Sequence, residues 1–197
     1  MAENLSFEVP DEVIDIINEH YPADSVAYKI YFTHVVKVTE LAIKIAEHNP
    51  DLNLNLRYII KASMLHDIGI IKTNAPEIGC FGKYPYIAHT YLGRQMLEDE
   101  GMIDVAPICE RHVGTGLSKQ DIIDSGFELP RRNMIPITLE EKLICYADKF
   151  YSKSVKHLTI PKSPYKIRKK ILKYGEEKVD EFNGFVKLFG IDYIYKQ

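Results

Sequence analysis

Residues 62–69, Ala62-Ser63-Met64-Leu65-His66-Asp67-Ile68-Gly69, set an imidazole beside a carboxylate at the end of an apolar, helix-patterned run. Both groups are costly to bury without a partner. A divalent cation is a ready one, since it takes a neutral imidazole nitrogen and a carboxylate oxygen as ligands. The question for the rest of the chain is whether it supplies more ligands of that kind.

At 197 residues the chain can enclose a full core, as one large domain or one domain with an appendage. Hydrophobic residues at 46% and charged residues at 27% are ordinary for a soluble globular protein. A net charge of −3 argues against a nucleic-acid polymer as partner. The basic group Lys166, Arg168, Lys169, Lys170 and Lys173 is followed by Glu176, Glu177, Asp180 and Glu181, and reads as a solvated helix face. Cys80, Cys109 and Cys145 are odd in number and far apart, so they form neither a disulfide framework nor a thiolate metal knuckle. They are expected as small buried residues in a reducing compartment. The start, Met1-Ala2-Glu3-Asn4-Leu5, lacks a basic then apolar leader, and no apolar run approaches the ~20 residues that cross a bilayer. The expectation is a cytoplasmic protein with no membrane partner.

Helical periodicity dominates, and no strand alternation stands out. The spacing predicts helices over 10–20, 25–48, 55–68, 87–100, 103–112, 138–156 and 165–189, the last as one or two pieces, with a short one near 118–124. Gly69 is expected as a left-handed stop, and Thr138 with Glu141 as a capping box. Pro76, Gly79, Gly82 and Pro85 make 70–86 a loop, and a second irregular stretch covers 113–137. The fold class is therefore an all-α bundle with two long functional loops.

Helical geometry then places the polar residues. Ile30, His34, Val38, Leu41 and Ile45 form one stripe, and Leu56, Ile60, Ser63 and Asp67 another, with His66 about 100° round. His89 is in register with Gly93, Met96 and Leu97, and His112 with Val105 and Ile108. Asp148 aligns with Ile144, Tyr151 and Val155. A single inward histidine is usually a hydrogen-bonded core residue. Six such groups from five helices, all on inward stripes, need one shared polar cavity, and a metal there removes most of the cost of burial. His20, His48 and His157 fall at or near helix ends and are given no chemistry.

His34, the His66-Asp67 pair and Asp148, all on helices, resemble the signature of the HD superfamily of metal-dependent phosphohydrolases, and Ile68-Gly69 matches its HDIG variant. The likeness spans roughly residues 30 to 155. His89-Thr90-Tyr91-Leu92-Gly93 and His112-Val113-Gly114-Thr115-Gly116 extend it toward binuclear members, the nearest pattern being the bacterial HD-type diadenosine tetraphosphate hydrolases. The offset from His89 to Gly93 and the long interval from His112 to Asp148 leave the substrate open. Lys83-Tyr84-Pro85 merely looks like the Gly-Tyr-Pro motif of cyclic-di-nucleotide phosphodiesterases.

The resemblance implies an HD helical bundle over 25–160, with a helical segment at 1–24 and C-terminal helices over 161–197 packed on the same domain. It implies that His34, His66, Asp67 and Asp148 hold one divalent ion and that His89 and His112 hold a second, bridged by Asp67. Nitrogen and oxygen ligands suit Fe, Mn, Co, Ni or Zn. The implied activity is hydrolysis of a phosphate ester or anhydride bond, by hydroxide generated at the metals, in a nucleotide or other small phosphorylated substrate. Asp67, Lys72 and Lys149 are the candidate catalytic residues, and Lys72, Arg111, Thr115 and Lys149 the candidate substrate contacts. The amides of Gly114 and Gly116 are a candidate anion-binding turn, and Phe81, Tyr84 and Tyr86 candidates for stacking a nucleobase. A mononuclear nucleotidase, with His89 and His112 touching substrate, is a second reading, and a non-catalytic nucleotide-binding regulatory module a third. Phe182, Phe185, Val186 and Phe189 make an apolar face that covers the core or serves a homodimer.

Overall fold

A 23-residue helix, α2 (Val26–His48), is the axis of the fold, with α1 (Asp11–His20) before it. Ser25 caps α2 by accepting the Tyr28 N–H at 2.9 Å, and the Asn49 amide closes it on the Ile45 carbonyl at 2.8 Å. Its stripe of Ile30, His34, Val38, Leu41 and Ile45 is buried as expected, against α3 (Leu56–Leu65) and α7 (Leu139–Asp148). The computed structural model describes residues 5–154 and 157–195. Among them it has nine α-helices, completed by α4 (His89–Asp99), α5 (Pro107–Arg111), α6 (Lys119–Asp124), α8 (Pro164–Ile171) and α9 (Glu176–Phe189).

The helix predicted to run to Ile68 stops at Leu65 and continues as a tighter turn over Ile68–Lys72. Two buried tyrosines fix that break. Tyr31 donates its hydroxyl to the Met64 carbonyl at 2.6 Å. Tyr21 donates to the Ile68 carbonyl at 3.0 Å and accepts the Ile71 N–H at 3.1 Å. Leu56 is 44% exposed and Ile60 only half-buried, so the buried face of α3 begins at Ile59, with Ala62 and Ser63 following. Gly69 is not left-handed either. It is small because α4 passes over it: a Cβ there would lie 2.2 Å from the His89 carbonyl oxygen and 2.4 Å from the Gly93 nitrogen.

The 70–86 stretch holds a short antiparallel ribbon that the sequence did not suggest, β1 (Asn74–Ala75) against β2 (Cys80–Phe81). α5 is shorter than predicted, since Pro107 opens it and 103–106 remain in turns. α6 sits inside the second irregular stretch and starts with a reciprocal Ser118–Asp121 capping box. Thr138 caps α7, but Glu141 completes no box there; it takes Arg111 and the Ile137 N–H instead.

α7 also ends early, at Asp148 and not near Lys156, which lies outside the described residues. The Lys162 ammonium donates to the Lys149 carbonyl at 3.0 Å and to that of Tyr151, while the Lys162 N–H donates to the Phe150 carbonyl at 2.7 Å. Those carbonyls are held by a distant residue. The main apolar core runs from Val13 to Ile194, and a smaller one gathers Leu117, Ile122, Leu129 and Met134. Phe182, Phe185 and Phe189 of α9 surround the Tyr146 ring of α7 at centroid distances of 5.6, 6.3 and 5.8 Å, so this apolar face covers the chain's own core. Cys80, Cys109 and Cys145 are buried and free. No helix among the described residues is long and apolar enough to cross a membrane.

Because both close neighbours of Gly69 are backbone atoms, Gly69→Ala forces α4 away from the turn. The expected cost is about 1–3 kcal/mol, typical of overpacking, read as a lower urea midpoint with unchanged slope. An unchanged midpoint would show that the contact is slack.

Candidate metal centre

Asp67 is completely buried, and its Oδ1 lacks an ordinary hydrogen-bond partner. Its Oδ2 lies 3.1 Å from His34 Nε2 and 3.0 Å from His66 Nε2. Asp148 joins this side, with Oδ1 at 3.1 Å from His34 Nε2 and 3.6 Å from His66 Nε2. The Oδ1 of Asp67 faces the other way, 3.5 Å from His89 Nε2 and 3.4 Å from His112 Nε2. The structure thus brings all six sequence-predicted ligand candidates together, as a four-residue group and a three-residue group that share Asp67.

Each element aims its ligand for a local reason. His34 comes from the middle of α2, and His66 and Asp67 from the turn pinned by Tyr21 and Tyr31. His89 opens α4, while His112 and Asp148 stand at the ends of α5 and α7. Three imidazoles are oriented through their second nitrogen. His66, His89 and His112 direct Nδ1 at the carbonyls of Ser63, Tyr86 and Ile108, at 2.6, 2.6 and 3.1 Å. A carbonyl only accepts, so Nδ1 carries the proton in the neutral ring and Nε2 presents its lone pair to the cluster.

The donors fit divalent metal ions, and either group could hold one. They are nitrogen and oxygen only, and buried His66 Nε2 and Asp67 Oδ1 have no partner outside the cluster. Without an ion, protons and lysines take up the charge. Burial alone would lower His66, but Asp67 and Asp148 outweigh it and hold the imidazole up at about 9. Burial opposes ionisation of Asp67 as well, yet Lys153 and His66 keep it well below the usual carboxylate range. His89 is pushed down to about 3 by burial, and His112 is lowered for the same reason.

Lys153 is the residue that sequence reasoning missed. Its Nζ lies 2.6 Å from Asp67 Oδ2. It follows α7 in an irregular segment, where no periodicity signals which way a side chain points. Lys149 lies at the cavity, with Nζ 2.8 Å from Asp148 Oδ2 and 3.0 Å from the His112 carbonyl. Thr115, Gly114 and Gly116 line the same cavity, although the Thr115 hydroxyl is engaged by Glu181.

Other candidates lie elsewhere. Lys72 is exposed and takes no part in the cavity lining. Arg111 is turned away from it and paired with buried Glu141 at 2.6 Å. Phe81, 79% exposed, and Tyr84 stay outside the cavity, whereas Tyr86 lines it with its ring 4.9 Å from that of His89. His20 and His48 are remote from the cluster, one near Glu100 and one stacked on Tyr193. The cavity over the cluster has a volume of about 970 Å³.

The HD domain model matches residues 31–152. The chain belongs to the HD domain family. It is 30% identical over 182 residues to a tRNA (cytidine(56)-2'-O)-methyltransferase of Thermoplasma volcanium, a match that covers 90% of the chain and 47% of that protein. It is 32% identical over 118 residues to an uncharacterised protein of Methanocaldococcus jannaschii, covering 58% of the chain and 62% of the relative. A tRNA (cytidine(56)-2'-O)-methyltransferase of Picrophilus torridus is 31% identical over 120 residues, covering 60% of the chain and 30% of the relative. The chain therefore spans less than two thirds of each of these relatives. No solved structure matches it.

The raised His66 sets a pH dependence for the ion-free protein. Its contribution to stability is complete below about 6.5 and is lost as pH rises through about 9. In EDTA-treated protein the melting temperature should fall across that window, by the equivalent of up to about 3 kcal/mol. A flat or rising profile would mean that His66 is not held charged by its two carboxylates.

Proposed function

We propose that this HD domain is a metal-dependent phosphohydrolase with a two-ion centre, acting on a nucleotide or another small phosphorylated substrate. The observation that carries the reading is the orientation of Asp67, one buried oxygen toward His34, His66 and Asp148 and the other toward His89 and His112. A mononuclear site would not need Oδ1 as well, buried between two further imidazoles and without an ordinary partner.

His34, His66, Asp67 and Asp148 would hold one ion, and Asp67, His89 and His112 the other. Divalent ions supply Lewis acidity toward water and toward the phosphoryl oxygens when bound. Hydrolysis adds the oxygen of water to phosphorus, breaks the bond to the leaving oxygen, and delivers a proton to that oxygen. The chain's own groups serve this by position. The Nδ1 anchors on Ser63, Tyr86 and Ile108 hold three imidazoles without further reorganisation. The ammonium groups of Lys149 and Lys153, both in the cavity wall, offset negative charge that builds on the phosphoryl oxygens. Burial of the cluster keeps bulk water from screening those charges. Lys153 thus takes the place that Lys72 held in the sequence reading.

Two of the relatives carry the name of a tRNA methyltransferase, and more than half of each lies outside the match. A nitrogen–oxygen cluster built for divalent ions favours hydrolysis over methyl transfer in the segment they share with this chain. The diadenosine tetraphosphate hydrolase likeness makes dinucleoside polyphosphates one member of the substrate panel.

Purified protein reloaded with Mn, Fe, Co, Ni or Zn should bind two equivalents per chain and release phosphate from at least one member of a panel of nucleotides and phosphate esters. One equivalent would favour the mononuclear nucleotidase, and nucleotide binding with no phosphate release under any ion the regulatory module. Asp67→Ala should lose metal binding and reduce turnover by at least about 100-fold, beyond what loss of an outer partner costs, with the helical circular dichroism retained. Turnover at the wild-type rate in that variant would end the proposal.

A further inference from the structure

Six lysines line the cavity above the cluster, against four carboxylates. The chain as a whole is negative, at −3, so this local excess of cations runs against the charge of the molecule. Three of the six have acidic partners: Lys149 on Asp148 at 2.8 Å, Lys153 on Asp67 at 2.6 Å and Lys178 on Asp121 at 2.9 Å. Lys162, Lys170 and Lys173 have no carboxylate partner among the described residues. Lys162 donates to two backbone carbonyls, of Lys149 and Tyr151, out of three N–H bonds.

Lys162 and Lys170 are held close to cations that add to their cost. Burial pushes Lys162 down to about 8; Asp148 opposes that, and Lys170, Lys149 and Lys153 add repulsion. Partial desolvation at the rim lowers Lys170 too, with Lys149, Lys153 and Lys173 adding repulsion and Asp148 opposing it. Unpaired like charges gathered on one wall are unfavourable unless an anion joins them. Basic residues of the 166–173 stretch, read from the sequence as a solvated face, thus divide: Lys170 and Lys173 reach the cavity rim, and Lys166 and Lys169 do not. The cavity, at about 970 Å³, lies at the large end for a small-molecule site and exceeds what one phosphate needs.

We propose that Lys162, Lys170 and Lys173 form a second anion site, which holds one phosphate group of the substrate while another lies over Asp67. The inference rests on the phosphohydrolase reading for the phosphate over Asp67 and names the substrate class. That class is a molecule with at least two phosphate groups, joined as an anhydride in a nucleoside diphosphate or separated on the sugar in a nucleoside bisphosphate. A lysine ammonium suits this work, since it grips phosphate as a point charge without demanding one geometry.

The test uses the full chain. Titration calorimetry of EDTA-treated protein with inorganic pyrophosphate should show binding that weakens with salt. The double variant Lys170→Ala, Lys173→Ala should bind about tenfold more weakly or worse, as expected for loss of charge-assisted contacts. Lys166→Ala with Lys169→Ala, on the same basic stretch but away from the cavity, should match wild type. No pyrophosphate binding by the wild type, or equal binding by the Lys170 and Lys173 variant, overturns the site. In metal-loaded enzyme, the ratio of kcat/KM for a substrate with two phosphates over adenosine 5'-monophosphate should fall about tenfold in the same variant. Adenosine diphosphate and adenosine 3',5'-bisphosphate, run in parallel, identify which arrangement fits. An unchanged ratio for both overturns the proposal. Absence of turnover on every substrate defeats the phosphohydrolase reading alone, and the calorimetry still decides the lysine site.

Discussion

A carboxylate with no exposed surface governs this structure. Asp67 is surrounded by Nε2 atoms of four histidines at 3.0–3.5 Å and by the Lys153 ammonium, and no single helix could supply that company. A buried charge left unpaired would cost several kcal/mol, so the helices that carry its partners are constrained to meet. The pins around the turn follow from this. Tyr31 and Tyr21 fix carbonyls on either side of His66-Asp67, and Gly69 allows α4 to pass within backbone contact, which delivers His89. Backbone, core and polar cluster depend on the same few residues between Met64 and Gly69.

Much of this was legible because a helix converts spacing into direction. His34, His89, His112 and Asp148 sit on inward stripes of separate segments, and α2, α4, α5 and α7 present those stripes to one point. The pattern failed where direction is not set by a helix. Lys153 lies in an irregular segment, and its reach to Asp67 has no signature in spacing. Lys72 and Arg111 are near ligands in sequence only; one ends on the surface and the other is drawn off by buried Glu141. Nearness along a chain says little about shared direction.

Element ends were the second blind spot, and the cause is tertiary. The apolar stripe of α7 continues through Tyr151, so spacing alone predicts more helix, but the carbonyls of Lys149, Phe150 and Tyr151 are taken by Lys162. α3 shows the same effect, ended by tyrosines from α2 and from the residue just after α1. In both cases a helix stops beside the cluster because a distant polar group offers its terminal carbonyls a partner. Both stops matter. They free Asp67 and Asp148 to stand at helix ends, where a carboxylate can turn into the cavity.

The two halves of the cavity answer to different constraints. The floor, around Asp67, is fixed by helices α2 to α7, whose apolar faces cannot move without exposing core. The lysine-bearing wall comes from the segment after α7 and from α8 and its following turn, where Lys170 and Lys173 are exposed and cost little to change. A centre that must hold its geometry and a wall free to vary are how one fold serves different substrates. Lys162 belongs to both, since the same ammonium that ends α7 behind Asp148 also faces the cavity.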